Sequence, residues 1–131
     1  MNMDTEAIFQ QYVVAGAMRR DADAVAALFT ADGILEAPLV PAGHPFPHRL
    51  EGREEIRRGL GAYYAGPQPG SAAVDFGRSR LVLHHPGPDV LIAELDSAFV
   101  DAPPVSLVQV FRFRDGLIAH LRDYFHPDVM G

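Results

Sequence analysis

Apolar positions recur with a helical period in the first half of the chain and with a strand-like period in the second half. Residues 6–19 place Ile8 and Tyr12 on one helical stripe. A second helix is predicted to begin near Asp21, and a third is predicted over residues 53–65. Acidic residues near the start of both favour the helix dipole.

The second half predicts an antiparallel meander. A short strand at 34–37 and a Gly- and Pro-rich break at 66–70 come before it. Three or four strands of the meander are expected, at about 73–84, 90–100, 105–114 and 117–125. Short turns rich in Gly, Pro and Asp separate them. Helices followed by strands in this order predict an α+β fold.

The segment 38–50 is predicted to be an apolar loop. Its four prolines exclude a continuous helix or an inner strand. Because an apolar loop is expected to pack against the body or a ligand, we expect this one to act as a lid, with Phe46 on the ligand side. His44 or His48 could reach into the mouth of a pocket as an auxiliary acid, since imidazole titrates near neutrality.

Length and charge limit the class of protein. The 131 residues predict a single domain over 5–127, with tails at 1–4 and 128–131. A net charge of −6 and the lack of a basic run argue against nucleic acid as a partner. An acidic chain is also repelled by anionic lipid, so no membrane partner is expected. Without a transmembrane run or a basic, apolar leader, the expected location is the cytoplasm.

Composition also limits the chemistry. The chain has no cysteine and no lysine, which excludes thiolate nucleophiles, disulfides and lysine Schiff bases. Its six histidines form no pair with the helical spacing of a zinc site, so no metal is predicted. The remaining tools are carboxylates, histidines, tyrosines, arginines and a few hydroxyls.

A carboxylate among apolar neighbours stands out in FRFRDGLIAHLRDYF, residues 111–125. Asp115-Gly116 predicts a tight hairpin between two strands. If the second strand is regular, one face carries Leu117, Ala119, Leu121, Asp123 and Phe125. A buried carboxylate is costly unless it is paired, hydrogen-bonded or used in chemistry. The question for function is which of these applies to Asp123.

These elements together resemble the SnoaL-like branch of the NTF2-like superfamily over about residues 5–127. The segments that carry the resemblance are IFQQYV, DADAVAALFTADGILEAP, LEGREEIRRGL and FRFRDGLIAHLRDYFHP. It implies a cone in which three N-terminal helices pack on a curved, mostly antiparallel sheet and enclose a pocket. It also implies a homodimer. The family includes isomerases, epoxide hydrolases, polyketide cyclases and non-catalytic domains. The resemblance therefore predicts the fold better than it predicts the activity.

The branches of the family match to different degrees. Tyr12 fits the tyrosine of the ketosteroid isomerase pattern, but Ala37 and Gln109 stand where that pattern has acids, so steroid isomerisation is not expected. The limonene epoxide hydrolase pattern has a water-activating aspartate that matches Asp123 and a second aspartate that matches Asp96. The polyketide cyclase pattern also has an acid–base aspartate at Asp123.

Strand alternation puts Glu94 and Asp96 on one face, and the resemblance turns that face toward the pocket. Glu94 stands where the epoxide hydrolase pattern has a bridging arginine. Carboxylates grouped in an apolar cone cannot all ionise, so the pKa of at least one is expected to rise. The alternative is that Arg78 or Arg80 neutralises Glu94 or Asp96.

The resulting hypothesis is a cofactor-independent acid–base enzyme: a cyclase, isomerase or epoxide hydrolase acting on a small apolar oxygenated metabolite, in secondary metabolism or detoxification. Asp123 would be the base, Asp96 its acid partner and Tyr12 a hydrogen-bond donor. Substrate contacts are expected from Glu94, Gln109, Tyr63, Tyr64, Phe46, His44, His48, Phe111 and Phe125.

The alternative hypothesis is a non-catalytic NTF2-like domain that binds an apolar ligand or dimerises. Its pocket would be lined by Phe76, Phe111, Phe113 and Phe125. In either case a homodimer is expected through the outer face of the sheet, where Val108 and Val110 lie.

Overall fold

The computed structural model describes residues 4–66 and 74–129. Three α-helices and a six-stranded sheet make up this part of the chain. The helices are α1 (Thr5–Val13), α2 (Ala22–Ala27) and α3 (Arg53–Ala65). The strands are β1 (Phe29–Glu36), β2 (Arg49–Glu51), β3 (Arg80–Gly87), β4 (Val90–Ser97), β5 (Val105–Arg114) and β6 (Leu117–Phe125). The α+β class predicted from the sequence is confirmed.

The helices begin at the predicted positions to within one residue. Asp4 and Asp21 accept hydrogen bonds from the backbone N–H groups of Ala7 and Ala24, which caps α1 and α2. The first helix does not stay α-helical as far as residue 19, because it widens into a π-helical turn, Val14–Met18. Such a turn adds one residue to the helix and changes the face on which the following residues lie.

The sheet has the strand order β2-β1-β6-β5-β4-β3. Strands β3 to β6 form the predicted antiparallel meander, and β1 pairs in parallel with β6. Of the predicted strand 73–84, residue 73 lies outside the described residues, and β3 begins only at Arg80. The predicted break at 66–70 lies outside them after Gly66, as do 1–3 and 130–131 of the predicted tails.

Two strands differ from the prediction by a bulge. β1 begins at Phe29 rather than at residue 34, and Asp32-Gly33 lies inside it where the pairing with β6 shifts. In β6 the register with β5 shifts between Arg112 and Phe113, so that Ile118 is fully buried. The regular alternation predicted for residues 117–125 therefore fails at Leu117 and Ala119 and holds from Leu121 to Phe125.

One face of the sheet packs against the helices and forms the core. Its fully buried side chains include Leu35, Leu91, Phe111, Ile118 and Leu121. The opposite face carries half-exposed and exposed side chains. None of the helices in 4–66 and 74–129 has the length and apolar composition needed to cross a bilayer.

Candidate functional site

One row of side chains on the inner face of the sheet breaks its apolar character. In the register of β4, β5 and β6, Ala93 lies opposite Gln109, and Gln109 lies opposite Asp123. The neighbouring rows are apolar: Leu91, Phe111 and Leu121 on one side, Leu95, Leu107 and Phe125 on the other. Two polar side chains thus lie on an otherwise apolar floor.

Asp123 is buried, with 5% of its surface exposed. Its Oδ2 accepts a hydrogen bond of 3.4 Å from Nε2 of Gln109, and its Oδ1 has no hydrogen-bond partner within the described part of the chain. Burial raises the pKa of the Asp123 carboxyl to about 7, against a small lowering by the Gln109 hydrogen bond. The carboxyl can therefore take up and release a proton near neutral pH.

Two tyrosine hydroxyls share the electrostatic environment of Asp123. Burial raises the pKa of Tyr12 well above its usual value, and the Asp123 charge raises it further. Burial raises the pKa of Tyr64 to about 12, where the Arg20 charge lowers it and the charges of Tyr63 and Asp123 raise it. Both hydroxyls therefore keep their protons at neutral pH and can donate hydrogen bonds.

Aromatic contacts orient these groups. The Tyr12 ring meets Phe111 edge to face, with 5.5 Å between the ring centroids. Tyr63 at the end of α3 packs in the same manner against Phe46, with 5.0 Å between centroids, and Phe46 packs against Phe125 at 5.1 Å. The predicted hydrogen-bond donor Tyr12 thus packs with Phe111 in one aromatic cluster, and the predicted contact residues Tyr63, Phe46 and Phe125 form a second.

Tyr64 is held in place by Arg20 and Gly16, two residues that the sequence analysis did not single out. Arg20 donates from Nη2 to the carbonyl oxygens of Tyr63 and Tyr64, at 3.4 and 3.1 Å, and its guanidinium lies 5.0 Å from the Tyr64 ring centroid. Gly16, in the π-helical turn, is the second: a Cβ there would lie 3.2 Å from the Tyr64 hydroxyl. The positive φ of Arg20, 49°, is a backbone feature that no local sequence signal announces.

The predicted placement of Glu94 and Asp96 in the pocket is wrong. The inner face of β4 carries Leu91, Ala93 and Leu95, so the two carboxylates lie on the opposite, exposed face. Glu94, whose side chain is 54% exposed, lies 3.5 Å from His84, and Asp96 accepts a 2.6 Å hydrogen bond from Ser106. Asp96 therefore cannot act as the acid partner of Asp123.

The predicted neutralisation of Glu94 or Asp96 by Arg78 or Arg80 is not found as an ion pair in the part of the chain that the structure describes. Arg78 pairs with Asp75 at 2.7 Å and donates to the carbonyl oxygen of Phe99. Arg80 lies opposite Asp96 in the register of the exposed face. Across residues 4–66 and 74–129, no guanidinium contributes to the pKa of Asp123. Phe76, predicted as a pocket wall, is 78% exposed in a turn.

The segment before β2 is held by the two histidines that were predicted to reach into the pocket. Nε2 of His44 donates to the carbonyl oxygen of Pro127 at 2.7 Å, and its Nδ1 accepts from the N–H of Phe46 at 3.0 Å. His48, which is exposed, donates from Nδ1 to the carbonyl oxygen of Val40 at 2.6 Å. These bonds fix the segment as a wall beside Phe125, with both His44 nitrogens in use and neither histidine in a position to serve as the auxiliary acid.

A groove of about 580 Å³ opens at the end of the sheet next to this wall. Its apolar lining includes Leu39, Leu95, Leu107, Phe125 and Pro127, and its polar lining includes Glu94, Asp96, Ser106, Tyr124 and His126. Since Phe125 follows Asp123 by two residues, the groove begins about 7 Å from the Asp123 row along the strand. The groove thus lies beyond the Phe125 end of the site, and neither Asp123 nor Gln109 belongs to its lining.

A shielded carboxylate on the outer face, Glu36, contrasts with Asp123. Burial raises its pKa, but a 2.6 Å hydrogen bond with His120 and the charges of Arg122 and Arg49 outweigh burial and lower it. In 4–66 and 74–129, no group of three or more His, Asp or Glu side chains could hold a metal ion. Of the two shielded carboxyl groups, Glu36 and Asp123, only Asp123 has a raised pKa.

Comparison with known proteins agrees with this architecture. The model of the SnoaL-like domain family matches residues 9–121. A proposed isomerase from Bacillus subtilis superposes with a TM-score of 0.72 at 22% identity, covering 98% of this chain and 92% of that one. A proposed polyketide cyclase from Sinorhizobium meliloti superposes with a TM-score of 0.60 at 23% identity, covering 94% of this chain and 98% of that one.

A third structure, an NTF2-like protein of unknown function from Burkholderia pseudomallei, gives a TM-score of 0.62 at 16% identity, covering 94% of this chain and 91% of that one. Among curated proteins, no sequence matches the chain. At these identities the structural neighbours establish the fold alone. The family model covers most of the chain, and the chain therefore belongs to the SnoaL-like domain family, with the NTF2-like fold.

Proposed function

We propose that this protein is a cofactor-independent acid–base enzyme that moves a proton on a small, largely apolar carbonyl compound, in an isomerisation or a cyclisation. The observation that carries the proposal is Asp123, a buried carboxyl without a cationic partner in the described chain and with a pKa of about 7. The family and the isomerase and cyclase names of two structural neighbours support the same class of reaction.

In the proposed mechanism, Oδ1 of Asp123 takes a proton from the carbon next to the substrate carbonyl. The electron pair of the broken C–H bond moves to the carbonyl oxygen, which accepts a hydrogen bond from the hydroxyl of Tyr12 or Tyr64. Both hydroxyls are suited to this role because their raised pKa values keep them protonated. The resulting enolate takes the proton back from Asp123 at another carbon, which is isomerisation. Alternatively, its carbon attacks a second carbonyl, which closes a ring, and the alkoxide that forms takes the proton from Asp123.

The geometry favours these reactions over epoxide opening by a carboxylate pair. Such a pair needs a second acid beside Asp123, and Asp96 lies on the other face of the sheet. The acid–base steps described above use only side chains of this chain. The substrate is expected to enter from the side of the groove that borders Phe125.

Exchange of α-protons for deuterium, followed by ¹H NMR in D₂O, tests the proposal. The panel consists of a β,γ-unsaturated ketone, a 1,3-diketone and simple aryl ketones. Wild-type protein is expected to accelerate exchange of at least one compound. Asp123→Asn keeps the shape and removes the base, so its rate is expected to fall by about 10²- to 10⁴-fold. Asp101→Asn, at an exposed aspartate, is the matched control and is expected to keep the wild-type rate.

The pH dependence gives the same test a second readout. Because Asp123 must be ionised to act as a base, kcat/KM for exchange is expected to rise through about pH 7 and to level off above it. Exchange that survives Asp123→Asn would contradict the assignment. Binding of the ketones by wild-type protein without any exchange would favour the non-catalytic, ligand-binding alternative.

A further inference from the structure

Gln109 is a buried polar side chain, and only its amide nitrogen takes part in the site described above. It is 8% exposed, and its Nε2 donates to Oδ2 of Asp123 at 3.4 Å. Its Oε1 is buried and has no donor within the described part of the chain, and the same holds for Oδ1 of Asp123. Two unpartnered acceptors therefore lie on adjacent strands of the same floor.

The sheet itself cannot supply the missing donors. The third member of this row is Ala93, which has no polar side-chain atom, and the rows on both sides are apolar. A buried acceptor without a donor costs folding free energy, so such atoms are rare in native proteins unless water or a ligand completes them. Water can complete such an acceptor, and so can a hydroxyl of a molecule bound beside Asp123.

We propose that the molecule bound here carries a hydroxyl group close to its reacting carbonyl, and that this hydroxyl donates to Oε1 of Gln109. The inference rests on the proposed function, in which the neighbouring Oδ1 of Asp123 accepts the proton that the substrate carbon loses. The hydroxyl keeps its proton throughout and only forms a hydrogen bond. The substrate class narrows from apolar carbonyl compounds in general to hydroxylated ones.

The spacing of the strands limits where the hydroxyl sits. Gln109 and Asp123 are direct cross-strand partners, and the Cβ atoms of such pairs lie about 5 Å apart. A hydroxyl held by Gln109 therefore lies no more than about three bonds from the carbon whose proton Asp123 takes. An α-hydroxy ketone, in which that carbon itself carries the hydroxyl, satisfies this limit.

Two ketones that differ in a single group test the proposal. 2-Hydroxy-1-phenylethanone carries a hydroxyl where propiophenone carries a methyl group of similar size. Wild-type protein is expected to bind the hydroxy ketone at least about tenfold more tightly, measured by calorimetry or NMR titration, because only that ketone satisfies the buried acceptor. Gln109→Met, which has nearly the same length but no amide oxygen, is expected to lose most of this preference.

Two further variants keep the test interpretable. Gln10→Met makes the same exchange at an exposed position of α1 and is expected to keep the preference. Gln109→Glu retains an acceptor oxygen and is expected to keep the preference even if Gln109→Met folds poorly. An equal affinity for the two ketones in wild-type protein, no binding of the hydroxy ketone, or a preference that survives in folded Gln109→Met would each overturn the proposal. The affinity ratio is independent of exchange, so it can fail while proton transfer by Asp123 stands.

Discussion

Two shielded carboxylates in this protein have opposite pKa shifts, and the difference lies in their immediate neighbours. At Glu36, burial raises the pKa, but His120 and two arginines outweigh it. Asp123 has burial on one side and one long, neutral hydrogen bond from Gln109 on the other. An ion pair holds a carboxylate in its charged form, whereas burial without one leaves it able to exchange a proton. This contrast supports the acid–base role that we propose for Asp123 and a structural role for Glu36.

The contact between Gly16 and Tyr64 gives a prediction at the scale of single residues. In Gly16→Ala the new methyl group would lie 3.2 Å from the Tyr64 hydroxyl, which must move by a few tenths of an ångström. If that hydroxyl holds the substrate carbonyl, kcat for exchange is expected to fall by about two- to tenfold, with little change in KM. Steady-state kinetics of α-proton exchange measure both values.

A double-mutant cycle separates this effect from a general loss of packing. Tyr64→Phe removes the hydroxyl and leaves room for the methyl group, so Gly16→Ala is expected to have no further effect on kcat in that background. Alanine is also the better helix former, so thermal unfolding is expected to show no loss of stability. Equal effects of Gly16→Ala with and without the Tyr64 hydroxyl would show that the contact has no role in catalysis.

At the scale of the elements, the sequence predicted best where a local signal acts alone. The third helix at 53–65 and the strands 105–114 and 117–125 are confirmed at their predicted bounds. The acidic first turn of the helix and the Asp-Gly turn between the two strands mark where these elements begin or end. The inward direction of Asp123 also follows from alternation near the end of a strand.

The errors lie where two readings of the local pattern are equally good. The first four residues of β4 are apolar on both faces of the strand. The sequence pattern therefore does not decide whether Glu94 or Ala93 points into the core, and in the structure it is Ala93. The bulges in β1 and β6 and the π-helical turn each add a residue to a regular pattern. Only packing between elements selects these irregularities, and a single sequence does not display it.

At the scale of the whole molecule, the sheet separates two kinds of surface. The inner face holds the Asp123 row and the aromatic packing, and the outer face carries half-buried apolar side chains such as Ile92, Val108 and Val110. We propose that a second copy of the chain covers this outer face, as the family resemblance implies. An apolar stripe on an exposed sheet face is a common basis for a two-fold interface.

Light scattering at micromolar concentration tests this assembly. Wild-type protein is expected to have twice the mass of one chain. Val110→Arg places a guanidinium in the middle of the stripe and is expected to give the monomer, whereas Val100→Arg, at an exposed position away from the stripe, is expected to leave the dimer intact. A monomeric wild-type protein would contradict the proposed interface and would leave the inner site unaffected.

The central claim is that Asp123 exchanges a proton near neutral pH because it is buried without a cationic partner. The most direct measurement is an NMR titration of the side-chain carboxyl carbons in ¹³C-labelled protein, with the Asp123 signal assigned from its absence in Asp123→Asn. A midpoint at about pH 7 is predicted. A midpoint near the ordinary aspartate value of about 4 would contradict the claim and the acid–base mechanism that depends on it.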